Sequence, residues 1–217
     1  MSSEAEIYWE YHQDRYQLLL SKVGSPASTL VVGPSYETLA LVEKFPTARI
    51  DTLGVFDARY ATTLGVHLPM DLNDCADPQR WPAPAPYDLV VAGEVIEHLQ
   101  TSPPVVFRFF RSLLRPGGEL IVQTPNAASL AKRWALLRGR NPYMMVLDRP
   151  DLSQHWREYT LPELLAAARE AELEPAGWSL DNCYRMTGRR AAIYLAVNRF
   201  TPRILRDCIT LTLRRPA

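Results

Sequence analysis

No stretch of this sequence stays apolar for the roughly 20 residues that a bilayer-spanning helix needs. The N-terminus, MSSEAEIYWEYHQDRY, is acidic and aromatic and lacks the apolar core of a secretory signal. Cysteine is sparse. Cys75, Cys183 and Cys208 stand far apart with no paired-ligand spacing, which argues against a thiolate zinc site or a disulfide framework and for a reducing, cytoplasmic setting. An excess of charge is also missing: lysine plus arginine and aspartate plus glutamate balance at 24 each. A long nucleic-acid footprint needs a basic surface to displace counterions, so that class of partner loses support. No repeat or low-complexity tract interrupts the chain. Its 217 residues suffice for one domain and are few for two, so a single domain over residues 1–217 is expected.

What is present is an alternation of strand and helix. Residues 4–22 carry an amphipathic helical pattern stopped by Gly24 and Pro26, which makes residues 1–24 a helical lid in front of the domain. STLVVG reads as a buried parallel strand, YETLALVEKF as a helix, and ARIDTLGVFD as a second strand ending on Asp57. GVHLPMDLND gives a short third strand ending near Asp71, and YDLVVAG a fourth. TSPPVVFRFFRSLL predicts a helix with a Thr/Ser cap and first-turn prolines; RPGGELIVQTPN is a turn and a fifth strand. YTLPELLAAAREAEL is a helix with a threonine cap and Glu163 at its third position. EPAGWSLDN and RRAAIYLAVNRF are expected to close the fold as an antiparallel pair. The result is an α/β sheet covered on both faces. Residues 127–154 are too long for an ordinary connection and are expected to cover the site; Lys132, Arg133, Arg138 and Arg140 are their main charge feature, either an anionic-substrate patch or a solvated face.

In such a sheet ligands bind beyond the C-terminal strand ends, near the point where strand order reverses. That rule selects Gly33, Asp57, Asp71 and Glu94. An acidic residue ending the second strand suits the ribose hydroxyls of an adenosine cofactor, with a helix cap as the plainer role for Asp57 and a turn for Asp71. The loop VVGPSYET keeps only Gly33; Ser35 and Glu37 stand where further glycines would, and Pro34 removes a donor. A pyrophosphate needs several close backbone N–H groups, so a cofactor carrying an amino acid rather than phosphates fits better.

Three segments in order, YDLVVAGEVIEHL, FFRSLLRPGGELIVQTPN and HWREYTLPELLAAAREAEL, resemble the class I S-adenosylmethionine-dependent methyltransferases. The resemblance implies a Rossmann-like seven-stranded sheet whose last two strands are antiparallel. It implies that Gly33, Pro34 and Ser35 lie at the methionine part of S-adenosyl-L-methionine, Asp57 with Ala58 at the ribose, Asp71 and Leu72 at the adenine, and Gly93 and Glu94 near the sulfonium. Val31 departs from the family, which has an acidic residue there. Tyr8, Tyr11 and Arg15 are placed to fold over the cofactor or to form a plain amphipathic lid.

EVIEH also resembles the Glu-x-x-Glu-His pattern of two metal-assisted O-methyltransferase branches, one acting on ubiquinone precursors and one on the terminal ribose of small RNAs. If the segment opens as a helical turn, Glu94, Glu97 and His98 share a face. His155 occupies the place of the second branch's further histidine, which implies a site of Glu94, Glu97, His98 and His155 for Mg²⁺ or Mn²⁺. His98 and His155 are then also the candidate proton acceptors, whereas His12 and His67 have no constellation around them and read as surface or structural residues. The expected activity is O-methylation of a small hydroxylated substrate (a sugar, polyol or phenol), with an RNA end second. The alternative is a non-catalytic binding or scaffold protein that keeps the fold.

Overall fold

The computed structural model describes residues 3–55, 60, 65–149, 153–184, 192, 194, 196, 197 and 199–217, with side chains from Tyr11 onward. Its strands are β1 Ser28–Val32, β2 Arg49–Gly54, β3 His67–Pro69, β4 Tyr87–Gly93, β5 Leu114–Pro125, β6 Glu174–Asp181 and β7 Cys208–Arg214. They form one sheet in the order β3-β2-β1-β4-β5-β7-β6. β1 to β5 are parallel, and β7 runs antiparallel to both β5 and β6. The helices are α1 Ser3–Lys22, α2 Tyr36–Lys44, α3 Pro103–Leu113, α4 Leu130–Leu137 and α5 Leu161–Glu170.

The continuous apolar runs of the central strands follow from cover on both faces. Alternate residues serve two cores. Val31, Val91 and Ile121 pack with Leu19 of α1 and Leu41 of α2. Val32, Val90 and Val122 pack with Phe107 and Phe110 of α3 and Leu164 of α5. Helix starts are fixed locally. Ser35 caps α2 in a reciprocal box with Thr38, and the backbone N–H and hydroxyl of Thr160 both donate to Glu163 Oε2 at 2.8 Å before α5. At α3 the expected side-chain cap is absent: Ser102 is the N-cap residue but makes no such bond. Prolines in the first turn already remove N–H groups that a cap would satisfy.

One strand assignment is corrected. Of the described residues of RRAAIYLAVNRF, 192, 194, 196, 197 and 199 are helical and Phe200 lies in a turn, and the last strand is CITLTLR. An apolar run of that length has no period that separates strand from helix. In Cys208–Arg214, by contrast, Ile209, Leu211 and Leu213 alternate into the α3–α5 core. The expected antiparallel closing pair exists, made by β6 with this later segment. β3 stops at Pro69, short of Asp71, and Asp57 and Ala58 lie outside the described residues.

α1 is held to the sheet by its middle. Arg15 and Tyr16 are 1% exposed, and the His12 ring lies edge-on to Tyr184 with centroids 5.7 Å apart. Burial, helped by the Arg15 charge, lowers the His12 pKa from 6.5 to about 4. Protonation between those values favours the unfolded chain, so this contribution to stability is present above pH 6.5 and is lost as pH falls towards about 4.

Two outcomes test this account. Leu211→Ala lowers stability in urea by about 2–5 kcal/mol, whereas Val197→Ala, at an exposed helical position, changes it by less than about 0.5 kcal/mol. His12→Gln makes the pH dependence of unfolding shallower between pH 6.5 and about 4 and leaves the neutral range flat.

Candidate active site

β1 connects to β2 on one side, while β4 lies on the other, so strand order reverses between β1 and β4. The switch point lies at their C-terminal ends, beside Gly33 and Gly93, where a sheet of this kind forms its ligand crevice. Gly33 turns the chain at φ +67°, and a Cβ there would meet Val95 Cγ2 at 3.0 Å. Ser35 is engaged as the α2 cap. Into the crevice come two charges from different helices. Arg15 Nη1 of α1 donates to Glu37 Oε2 of α2 at 2.9 Å, and both side chains are 1% exposed. The pair lies directly on Gly93: a Cβ at that position would stand 2.4 Å from Glu37 Oε2 and 2.7 Å from Arg15 Nη1. Among the described residues, Glu37 Oε1 and Arg15 Nε have no hydrogen-bond partner. Burial pushes the Glu37 carboxyl up against the pull of Arg15, while Arg15, itself opposed by burial, is held cationic by Glu37 and Glu94.

Beyond Gly93 the expected single helical face is not formed. Glu94 sits at φ +55°, a left-handed conformation that costs a non-glycine residue on the order of 1–3 kcal/mol. Its N–H still extends the sheet, donating to Gln123 O at 2.8 Å. A 3-10 turn over Ile96–His98 follows. Glu94 therefore points its own way: Tyr184 Oη donates to its Oε2 at 2.8 Å, and its buried Oε1 has no hydrogen-bond partner among the described residues. Burial raises the Glu94 pKa against Arg15 and Tyr184, and raises that of the Tyr184 hydroxyl well above its ordinary value.

Glu97, His98 and His155 do converge. One ligand atom from each lies within 4.8 Å of the other two. Each is aimed by a second group. Thr124 Oγ1 donates to Glu97 Oε2 at 2.9 Å, while the fully buried Oε1, 4.0 Å from His98 Nε2, has no hydrogen-bond partner among the described residues. His98 Nδ1 stands 3.1 Å from Gln154 O, which assigns the proton to Nδ1 and a lone pair to Nε2. His155 Nδ1 faces Glu158 Oε1 at 3.5 Å. The loop reaches the turn through backbone bonds from Trp156 and Arg157 N–H to Glu97 O. The imidazoles meet edge to face with centroids 4.6 Å apart. Burial drives the Glu97 pKa well up, with Glu94 adding to it, and burial lowers that of His98.

A cleft of about 430 Å³ brings His155 and Glu94 onto one surface, lined also by Tyr11, Lys132, Tyr184 and Asp207. Burial raises the Asp207 pKa to about 6. Tyr11 of α1 stacks on Tyr184 at 5.6 Å. Of the basic residues in 127–154, Lys132 enters the site as the ion-pair partner of Glu158; Arg133 bonds the Ala128 carbonyl and Arg138 lies over Trp134. Asp71 caps the 3-10 turn Leu72–Ala76 through Asn73 N at 2.9 Å, its plainer role, and Leu72 packs against the core. Sequence reasoning passed over Tyr184, Thr124, Glu158 and Asp207, which carry no local motif. Glu37 stood in plain view as a carboxylate in a glycine's place.

A methyltransferase domain family matches residues 18–175. A ubiquinone biosynthesis O-methyltransferase of Bordetella avium (strain 197N) is 30% identical over 120 residues, 52% of this chain and 48% of its own. The chain thus spans about half the length of that curated relative. Among solved structures, the N-methyltransferase NodS from Bradyrhizobium japonicum WM9, in complex with S-adenosyl-L-homocysteine, superposes with a TM-score of 0.55 at 15% identity, over 94% of this chain and 87% of its own. The Burkholderia thailandensis 1,6-didemethyltoxoflavin-N1-methyltransferase gives 0.56 at 15%, over 98% and 87%. These two likenesses speak for the fold, and the family match, covering most of the chain, speaks for descent. The chain belongs to the methyltransferase domain family.

Proposed function

We propose that the chain is an S-adenosylmethionine-dependent O-methyltransferase for a small hydroxylated substrate (a sugar, polyol or phenol), assisted by a divalent cation. The observation that carries the metal-assisted part is the convergence of Glu97, His98 and His155, with an unpartnered buried carboxylate oxygen among them. The curated relative that acts on oxygen supports the choice of acceptor atom.

The residues fit both groups. S-Adenosylmethionine, when bound, supplies an electrophilic methyl on a cationic sulfur. Glu94, beside Gly93, offers an orphaned buried oxygen to positive charge, and Tyr184 holds its other oxygen still. For Mg²⁺ or Mn²⁺ the donor set is one carboxylate and two neutral imidazoles. Its outer partners are those a metal site uses: Thr124 on the carboxylate, a backbone carbonyl on one ring and Glu158 on the other. A bound cation supplies Lewis acidity that lowers the pKa of a hydroxyl.

The chain's own residues do the remainder. His155 lines the cleft that also contains Glu94, so a substrate oxygen there lies between the proton acceptor and the methyl side. Glu158 orients the His155 ring and, where that ring accepts the proton instead of ligating, stabilises the imidazolium. A ring nitrogen cannot ligate and accept a proton at once, so dependence on metal decides which task His155 and His98 perform; the buried Glu97 oxygen favours ligation. Tyr11 over Tyr184 screens the cleft from water. Residues 127–154 and the lid of residues 1–24 are assigned to covering the site. With balanced charge overall, a small molecule is a better acceptor than an RNA end.

The test is transfer of labelled methyl from S-adenosylmethionine to a panel of catechols, polyols and RNA ends. Transfer to a diol or catechol that stops in EDTA and returns with Mn²⁺ is expected. Activity that is indifferent to chelator removes the metal, and no transfer to any hydroxyl removes O-methylation. His155→Ala lowers turnover by about 100-fold or more. Glu97→Gln weakens Mn²⁺ binding, read by calorimetry, by about tenfold or more.

A further inference from the structure

The buried ion pair between α1 and α2 occupies the crevice where strand order reverses, a place that fold packing alone gives no reason to charge. Removing two charges from water is costly, and a hydrophobic pair of similar volume is commonly as stable or more so. Arg15 and Glu37 are each 1% exposed, and among the described residues each keeps one polar atom without a hydrogen-bond partner, Nε and Oε1. They also block the crevice floor, because their paired atoms stand within 2.7 Å of where a side chain at Gly93 would begin. Glu37 occupies the position of the last glycine that a nucleotide loop would need, so backbone N–H groups are not what this crevice offers a ligand.

What it offers is one cation and one anion side by side. The amino-acid end of S-adenosylmethionine carries one ammonium and one carboxylate on a single carbon. We propose that Arg15 and Glu37 are the recognition pair for that zwitterion: on binding, their mutual bond is exchanged for two bonds to the ligand, Glu37 to the ammonium and Arg15 to the carboxylate. This rests on the cofactor reading above. It explains how a loop with one glycine serves such a cofactor: the charges usually met by backbone are met by two side chains. The exchange leaves the count of buried ion pairs favourable, since each partner gains a bond of the kind it gives up. It also makes Arg15 the link by which the cofactor holds α1 in place.

Calorimetric titration with two probes tests this: S-adenosylhomocysteine, which has the amino-acid end, and 5′-methylthioadenosine, which lacks it. Glu37→Gln and Arg15→Gln are expected to weaken S-adenosylhomocysteine binding by about tenfold or more, the scale of a lost charge-assisted hydrogen bond. 5′-Methylthioadenosine binding should stay within about twofold, because that probe never meets the pair. Arg15→Lys, which keeps the charge, recovers part of the loss, and thermal melts run alongside show that each variant is folded. Unchanged or tighter S-adenosylhomocysteine binding in both glutamine variants overturns the proposal and makes the pair a plug. Equal weakening of both probes overturns it in favour of a structural role. If the unaltered protein binds neither probe, the cofactor reading itself fails, and the recognition pair with it.

Discussion

Charge held out of water at the C-terminal ends of β1 and β4 is the constraint around which the molecule is arranged. Arg15, Glu37 and Glu97 are essentially inaccessible, and Glu94 has a buried oxygen. Such groups are tolerated only where a rigid surround fixes their partners. The surround here is the central sheet with an apolar core on each face, to which α1 contributes Leu19 and the 3-10 turn after β4 contributes Ile96.

The site is assembled from distant parts of the chain. Thr124 comes from the end of β5, Gln154, His155 and Glu158 from the approach to α5, and Tyr184 from just beyond β6. Backbone bonds from Trp156 and Arg157 to the Glu97 carbonyl tie the imidazole loop to the acidic turn. The ligand atoms are thus set by tertiary contacts, although the residues that bear them stand close together in only one short segment.

The sequence made the strand–helix alternation readable because each central strand is covered on both faces and so runs apolar without a break. It made Glu97, His98 and His155 readable through spacing and resemblance. It could not show that Glu94 turns away, since a left-handed residue is a product of the strand-end geometry rather than of the side chain. The last strand escaped because RRAAIYLAVNRF has the longer apolar run, while CITLTLR declares itself only by alternation against a core formed elsewhere. Val31, where the family has an acid, packs wholly in the core, which leaves the charge at this crevice to Glu37.

The order of the closing strands has a consequence for how the chain is made. β7 is later in the chain than β6 yet lies between it and β5, pairing with both. Until Cys208–Arg214 leaves the ribosome, β6 has no neighbour to join and the β5 edge stays bare. Such an edge is a template for pairing with other nascent chains. Sheet closure therefore waits on β7, and chains caught before it is made are the species a chaperone would meet.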